Sequence, residues 1–109
     1  MCKQRENVHL HCFCEDLITR NPPPSDLLLS IDVFEHVEDY IGFVRALRPK
    51  ATYKLFHIPL DVSVFSVLRR NQIMIGRERL GHLHYFMKDT ALATLKGTGY
   101  EIVDWGLYV

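Results

Sequence analysis

The chain has 109 residues, of which 48% are hydrophobic and 24% charged, and its formal net charge is zero with neutral histidines. This length and composition predict a single ordered domain and exclude a disordered chain. Because the sequence has no basic block that could follow a phosphate backbone, we expect no nucleic-acid partner. No apolar run approaches the roughly 20 residues that span a bilayer, so we expect no membrane partner either.

The cysteines and two histidines are concentrated near the amino terminus, with cysteines at positions 2, 12 and 14. An odd, clustered set is a poor disulfide framework, so we expect reduced thiols and a cytoplasmic protein. His9 and His11 beside the cysteines suggest a soft-metal site. Successive residues of a strand alternate between its two faces, so these histidines would face away from Cys12 and Cys14. We therefore expect no metal site in this segment.

The first predicted elements are two short strands separated by a loop. Residues 8–14 alternate in part and are rich in β-prone residues, which predicts a strand. Residues 21–25 contain three prolines, which fit neither a helix interior nor a central strand, and predict a loop. Residues 26–31 form a continuous apolar run, which is typical of a strand buried on both faces of a parallel sheet.

A helix and a third strand are predicted next. Apolar residues recur at helical spacing within residues 37–47, and Pro49 marks the end of that helix, because the residue before a proline avoids the helical conformation. Residues 52–58 are apolar and β-prone and are followed by Pro59, which predicts a strand that ends there.

The rest of the chain predicts an insertion, a helix and a last strand. Residues 60–81 mix apolar residues with Arg, Asn and Gly and predict an irregular, partly helical insertion. Residues 88–96 predict a helix with Asp89 as its N-cap. Residues 100–109 predict a final strand. This order of elements indicates an α/β fold.

Several short motifs follow one another in an order that resembles a known family. They are Asp-Leu-Leu-Leu at 26–29, Asp-Val-Phe-Glu-His at 32–36, Leu-Arg-Pro-Lys-Ala at 47–51, Phe-His-Ile-Pro at 56–59, His-Tyr-Phe at 84–86 and Gly-Tyr-Glu-Ile at 99–102. Together they resemble the middle and C-terminal parts of a class I S-adenosylmethionine-dependent methyltransferase. The resemblance is to the small-molecule methyltransferases, and within these to the ubiquinone-biosynthesis branch.

The resemblance implies a Rossmann-like α/β sheet with helices on both faces, S-adenosylmethionine as cofactor and methyl transfer to a small-molecule acceptor. It also implies an incomplete sheet. In the family's strand order, 3-2-1-4-5-7-6, residues 8–14 would be strand three and residues 26–31 strand four. Residues 1–109 would then form a partial methyltransferase domain from strand three onward, which lacks the first two strands and stops before the last.

The family's glycine-rich cofactor loop, Gly-x-Gly-x-Gly, is absent from this chain. In the family its glycines let the backbone approach the methionine carboxylate closely. We therefore expect little or no methyl transfer by this chain alone. The alternative is a non-enzymatic product, either a truncated methyltransferase remnant or an interaction fragment.

The resemblance assigns five residues to the cofactor: Asp16, Leu17, Ile31, Asp32 and His36. Asp16 would accept a hydrogen bond from the adenine amino group, with the backbone amide of Leu17 beside it. The alternative for Asp16 is a helix N-cap or an exposed loop acid. Ile31 and Asp32 would contact the methionine portion, mostly through their backbone.

Glu35 and His36 would shape the pocket near the sulfonium. The same resemblance offers a divalent-metal cluster of Asp32, Glu35 and His36. We favour the simpler interpretation, in which Glu35 interacts with the amino terminus of the helix and His36 packs against the sheet. His82 and His84 could serve as a general base on an acceptor hydroxyl, or could anchor the insertion on the sheet. The pattern assigns no catalytic residue and does not identify the acceptor or the oligomeric state.

Overall fold

The computed structural model describes residues 3–69 and 71–108, and within these it has a mixed α/β structure with a small parallel sheet and short helices. Predictions that fall on Met1, Cys2, Arg70 and Val109 lie outside the described residues. In the part of the chain that the structure describes, no helix has the length and apolar character needed to cross a membrane.

The sheet consists of two parallel strands, β1 (Ser25–Ile31) and β2 (Ala51–His57). The register places Leu29 beside Leu55, and the last residue of β1 beside the last residue of β2. Two of the predicted strands are thus confirmed, each beginning one residue earlier than the pattern indicated. Because the strands are parallel, their carboxyl ends lie at the same edge of the sheet.

The crossover between the strands contains α2 (Tyr40–Leu47). The predicted helix over 37–47 begins later, because Phe34–His36 first forms a 3₁₀ turn. Asp39 then caps α2 by accepting a hydrogen bond from the Gly42 N–H at 2.9 Å. This cap satisfies one of the free N–H groups of the first turn and fixes where α2 begins.

The predicted insertion is confirmed as partly helical. It contains α3 (Val64–Leu68), α4 (Asn71–Ile75) and a π-helical turn over Gly76–Leu80. The predicted helix near the C-terminus is confirmed as α5 (Lys88–Gly97). Its N-cap is Met87, and Asp89 lies inside the first turn, so the predicted cap is wrong by two residues.

Two predicted strands are wrong for the described residues. Residues 8–14 contain no strand; Leu10 makes an isolated bridge with Asn7, and the first α-helix, α1 (Leu17–Arg20), follows. Residues 100–108 have no regular secondary structure. A β-prone segment becomes a strand only where a neighbouring strand pairs with its N–H and C=O groups, and no described strand does so here.

The expectation of reduced cysteines holds for only one of the two that are described. Cys14 is free and exposed, whereas Cys12 is buried and disulfide-bonded. Reduced cysteines therefore no longer support the expected cytoplasmic location, which stays a prediction.

The core lies on one side of the sheet and is largely aromatic. Phe34, Val44, Phe86 and Ala91 are buried, and Phe56 of β2 packs against them. The Phe34 ring meets the Phe86 ring edge to face, with 5.3 Å between centroids. The 3₁₀ turn after β1 is therefore held in place by the side chain of Phe34.

The other side of the sheet carries an uncovered apolar surface, which we call the bare sheet face. It is formed by Leu27, Leu29, Ile31, Tyr53 and Leu55, each more than half exposed. Parallel sheets are normally covered on both faces. Among the described residues this sheet is covered on one face only, so β1 is not buried on both sides as its apolar run predicted.

Candidate functional site

Two polar side chains meet where the strands end. Asp32 directly follows β1, and His57 is the last residue of β2. His57 Nδ1 lies 2.6 Å from Asp32 Oδ1, and the Asp32 N–H donates to the His57 carbonyl at 3.1 Å. We call Asp32 and His57 the strand-end pair. It lies at the edge where open α/β sheets bind their ligands.

The backbone of Asp32 is in the left-handed region, with φ of +50°. A residue with a Cβ rarely adopts this conformation, although Asp and Asn do so more readily than others. The conformation turns the chain sharply out of β1 and into the 3₁₀ turn. An aspartate suits this position because it tolerates the turn and also supplies the acceptor for His57.

The ring of His57 is held from both sides. Because an ionised carboxylate only accepts hydrogen bonds, Nδ1 carries the proton toward Asp32. In the neutral ring Nε2 is then an acceptor, and the Tyr108 hydroxyl donates to it. A carboxylate that fixes the ring through Nδ1 leaves Nε2 as the basic atom, which is the arrangement found in histidine general bases. The Asp32 side chain is 51% exposed, so solvent and ligands can reach the pair.

His57 and Tyr108 also line a cleft of about 1150 Å³. One wall is part of the bare sheet face, with Leu27, Tyr53 and Leu55, and the other comes from α5 and the residues after it, including Trp105. The walls also carry charged side chains, among them Arg48, Lys54 and Asp104. Apolar contact surface with polar groups that can orient a ligand is typical of sites for small molecules.

A second polar cluster lies just beyond Asp32 and consists of Glu35, His36 and His82; we call it the buried-acid cluster. Glu35 has no exposed surface, and its carboxylate oxygens accept no hydrogen bond from the described residues. His36 Nε2 lies 3.5 Å from Glu35 Oε1. The rings of His36 and His82 meet edge to face with centroids 4.8 Å apart. The structure thus groups Glu35 and His36 with His82, which directly follows the insertion, while Asp32 is bonded to His57.

His84 anchors the insertion on the turn after β1. Its Nε2 lies 2.8 Å from the Val37 carbonyl oxygen, and its ring packs 4.3 Å from that of Tyr40. The backbone N–H groups of Leu83 and His84 both donate to the Glu35 carbonyl. These contacts support the anchoring interpretation of His84, since its Nε2 faces backbone carbonyls.

Asp16 is a helix N-cap. Its carboxylate accepts hydrogen bonds from the Ile18 N–H and the Thr19 hydroxyl, both at 2.9 Å. The Ile18 N–H, followed by the Thr19 hydroxyl, lowers the pKa of the Asp16 carboxyl. Leu17 is the first residue of the same short helix, α1. These contacts agree with the N-cap alternative that the sequence offered for Asp16.

The predicted cofactor residues do not all converge. Helix α1 lies beside the amino end of β2, where Lys50 donates to its capping residue, Asn21. Ile31 and Asp32 lie at the carboxyl end of the sheet, and a seven-residue strand is roughly 20 Å long. The structure thus brings Ile31 and Asp32 together but separates them from Asp16 and Leu17. His36 belongs to the buried-acid cluster and donates through Nδ1 to the Gly81 carbonyl at 2.9 Å.

Sequence reasoning missed His57, Tyr108 and the grouping of His82 with Glu35. One signal was available for His57, because a histidine that ends a predicted parallel strand shares its edge with the residue that ends the neighbouring strand. No local pattern indicates Tyr108 or the position of His82, since both reach their partners across long stretches of chain.

The chain matches no protein-family model, no curated protein and no solved structure.

Proposed function

We propose that this chain is part of a Rossmann-like class I S-adenosylmethionine-dependent methyltransferase domain that acts on a small-molecule acceptor. In this proposal β1 and β2 are the family's strands four and five, which are neighbours in its sheet. The supporting observation is that two adjacent parallel strands, joined by α2, end in a hydrogen-bonded Asp32 and His57. Ligands of open α/β sheets bind outside this edge.

In this proposal the residues at this edge contact one side of the cofactor, mostly through the backbone of Ile31 and Asp32. Ile31 offers an exposed apolar side chain, and Asp32 offers a half-exposed carboxylate of which Oδ1 faces His57. When bound, S-adenosylmethionine supplies an electrophilic methyl group. The structure has α1 beside the amino end of β2 and so lends no support to the predicted adenine contacts of Asp16 and Leu17. These contacts, like that of His36, stay predictions.

His57 gives this edge a means of removing a proton. An acceptor hydroxyl that takes the place of the Tyr108 hydroxyl would donate its proton to His57 Nε2. Asp32 would stabilise the resulting imidazolium through Nδ1–H. Methyl transfer to oxygen depends strongly on how the acceptor hydroxyl is positioned. The fixed ring of His57 would therefore act as the base and would also orient the acceptor hydroxyl.

The proposal is tested by an NMR titration of the purified chain with S-adenosylhomocysteine, which resembles the cofactor and transfers no methyl group. We expect weak, saturable shifts of the Ile31 and Asp32 amides. Ile31→Ser should weaken this binding, whereas Asp26→Ala, at an exposed position at the other end of β1 that does not line the cleft, should leave it unchanged. Equal effects of the two variants would contradict binding at the carboxyl edge.

A separate assay addresses activity. Because the chain lacks Gly-x-Gly-x-Gly, we expect no methyl transfer from S-adenosylmethionine to small hydroxyl compounds by the purified chain. Efficient turnover would contradict the expectation that this chain is inactive alone.

A non-enzymatic interaction fragment is the second candidate, and the bare sheet face favours it. Contiguous exposed apolar surface of this kind is found where another chain or segment binds. An interaction fragment or a remnant would show no saturable shifts at Ile31 and Asp32. The absence of nucleic-acid and membrane partners and the cytoplasmic location stay predictions under either candidate.

A further inference from the structure

Glu35 is the least satisfied group among the described residues. Its side chain is buried, with 0% of the residue exposed, yet both carboxylate oxygens lack a hydrogen-bond donor among the residues described. A buried carboxylate is costly unless a cation or several donors compensate it. Among the described residues the basic group beside it is the His36 imidazole, whose Nε2 lies 3.5 Å from Oε1 and forms an ion pair only when protonated. A positive charge beside the carboxylate would therefore stabilise Glu35 in this buried position.

Both histidines beside Glu35 are oriented by hydrogen bonds through Nδ1. His36 Nδ1 lies 2.9 Å from the Gly81 carbonyl oxygen, which can only accept, so this nitrogen carries the proton. His82 Nδ1 lies 2.8 Å from Asp61 Oδ2 and donates in the same way to an ionised carboxylate. The Nε2 lone pair of each neutral ring is then available. A histidine whose other nitrogen donates to a carbonyl or carboxylate is the usual arrangement of a metal-ligating histidine.

We propose that Glu35, His36 and His82 bind one divalent transition-metal ion. One ligand atom from each residue lies within 4.8 Å of the other two. Ligand atoms about 2.0–2.2 Å from one ion lie at most about 4.4 Å apart, so small side-chain rotations bring all three into place. Two imidazoles and one carboxylate favour Zn²⁺, Fe²⁺ or Co²⁺ over Mg²⁺, which prefers oxygen ligands.

The ion would connect the turn after β1 to the insertion. Glu35 and His36 belong to the 3₁₀ turn, while His82 follows the π-helical turn Gly76–Leu80. The ion would add to the backbone contacts that already hold Leu83 and His84 to Glu35. This site is independent of the proposed methyl transfer, and Asp32 takes no part in it because its carboxylate is bonded to His57.

The first experiment uses the full chain and two metal probes. All proteins carry Cys14→Ser, because a free exposed thiol binds Zn²⁺ by itself. Calorimetric titration with Zn²⁺ should give one ion per chain, and millimolar Mg²⁺ should not displace it. Co²⁺ should give visible absorption bands of a site with nitrogen and oxygen ligands. Absence of binding, binding of several weak ions, or displacement by Mg²⁺ would overturn the proposal.

The second experiment uses matched variants. Glu35→Gln and His82→Gln should each weaken Zn²⁺ binding at least about tenfold, and Asp61→Asn, which only positions His82, about tenfold. The control is His11→Ala, which removes an exposed histidine outside the cluster and should leave the affinity unchanged. Unchanged affinity in the Glu35 and His82 variants, or an equal loss in the control, would refute the assignment.

Glu35→Gln also provides a measurement without metal. It removes a buried charge that no described donor compensates, so the metal-free variant should unfold at the same temperature as the parent or a higher one. Zn²⁺ should raise the melting temperature of the parent, because the folded state binds it, and should not raise that of the variant. A variant that is less stable without metal and still stabilised by Zn²⁺ would contradict a ligand role for Glu35.

Discussion

Asp32 has a left-handed backbone conformation and also accepts a hydrogen bond from His57. Substitution can separate the contributions of these two features to stability. Asp32→Ala should lower the free energy of unfolding by about 1–2 kcal/mol, because alanine fits a positive φ poorly and leaves His57 Nδ1 without its acceptor. Asp32→Asn should lose less, since asparagine tolerates this conformation and keeps an acceptor. Urea denaturation measures both values.

The control for these variants is Asp26→Ala, which removes an exposed carboxylate from the beginning of β1. It should change stability little. If Asp32→Asn lost as much as Asp32→Ala, the charge on Asp32 would matter more than its backbone conformation, and tolerance of a positive φ would not be the reason that an aspartate suits this turn.

The phenol of Tyr100 should make the free energy of unfolding depend on pH in the alkaline range. Its burial raises the pKa of the phenol to about 12, an effect that Arg48 partly opposes, and its hydroxyl donates to the Val44 carbonyl at 2.6 Å. Between pH 10 and pH 12 the folded state therefore keeps a proton that the unfolded state has lost. The free energy of unfolding should fall as pH rises through this window, and the contribution should be fully present below about pH 10.

This dependence is measured by urea denaturation at several pH values for the parent and for Tyr100→Phe. The variant should be less stable near neutral pH, by about 1 kcal/mol for the lost hydrogen bond, and should show a smaller fall over the alkaline window. Tyr53→Phe, at an exposed tyrosine, should behave like the parent. Identical pH profiles for the parent and Tyr100→Phe would exclude the phenol as the cause.

At the residue scale, the sequence indicated where Asp32 would lie but not what it would contact. The position of Asp32 follows from a local pattern, an apolar strand followed by an acid. Its pairing with His57 depends on the alignment of β1 with β2. The N-cap role of Asp16 was raised from the sequence, since aspartate before a short apolar helix is a common cap.

At the element scale, the insertion is held by His84, and removing this side chain should loosen it. His84→Ala loses the contact of Nε2 with the Val37 carbonyl and the packing of the ring on Tyr40. The π-helical turn contains Arg77 and Arg79, both exposed, which trypsin can cleave when the segment opens. We expect faster tryptic cleavage at these arginines in His84→Ala than in the parent.

His11→Ala is the matched control for this proteolysis, since it also removes an imidazole but from an exposed position outside the insertion. Mass spectrometry of the first fragments identifies the cleavage sites. Cleavage at the same rate in both variants would show that the backbone bonds to Glu35 hold the insertion without help from His84.

Local sequence patterns correctly predicted the helices and strands whose residues show a clear apolar run or helical spacing. The apolar runs of β1 and β2, the helical spacing before Leu47 and the helix over Lys88–Gly97 were all visible in the sequence. The segments 8–14 and 100–108 have comparable β propensity but form no strand among the described residues. Propensity cannot decide this outcome, because the stability of a strand comes from its neighbours in the sheet.

At the scale of the whole molecule, the coarse α/β character was predictable, but the uncovered side of the sheet was not. The continuous apolar run of β1 indicated burial on both faces, since it alternates too little to show a solvent side. The structure buries Ser30 and leaves Leu29 more than half exposed. Which face is covered depends on Phe34 and Phe86, which reach the sheet from other parts of the chain.

The bare sheet face should make this chain associate with itself. Leu29 and Leu55 are neighbours in the register and both are more than half exposed, so they form the centre of an apolar patch on an open sheet. Exposed patches and unpaired strand edges of this kind promote association. We expect the apparent mass, measured by size-exclusion chromatography with light scattering, to rise with protein concentration.

The double variant Leu29→Thr and Leu55→Thr should reduce this association while changing the free energy of unfolding by less than about 1 kcal/mol, because threonine suits strands and little buried area is lost. The matched control is Val64→Thr with Val67→Thr, which removes two exposed apolar side chains from α3 and should not reduce association. A parent that stays monomeric at every concentration, or an equal effect of the two double variants, would show that the sheet surface is not the cause. A loss of association confined to the sheet variant would instead identify this face as the surface through which the chain associates.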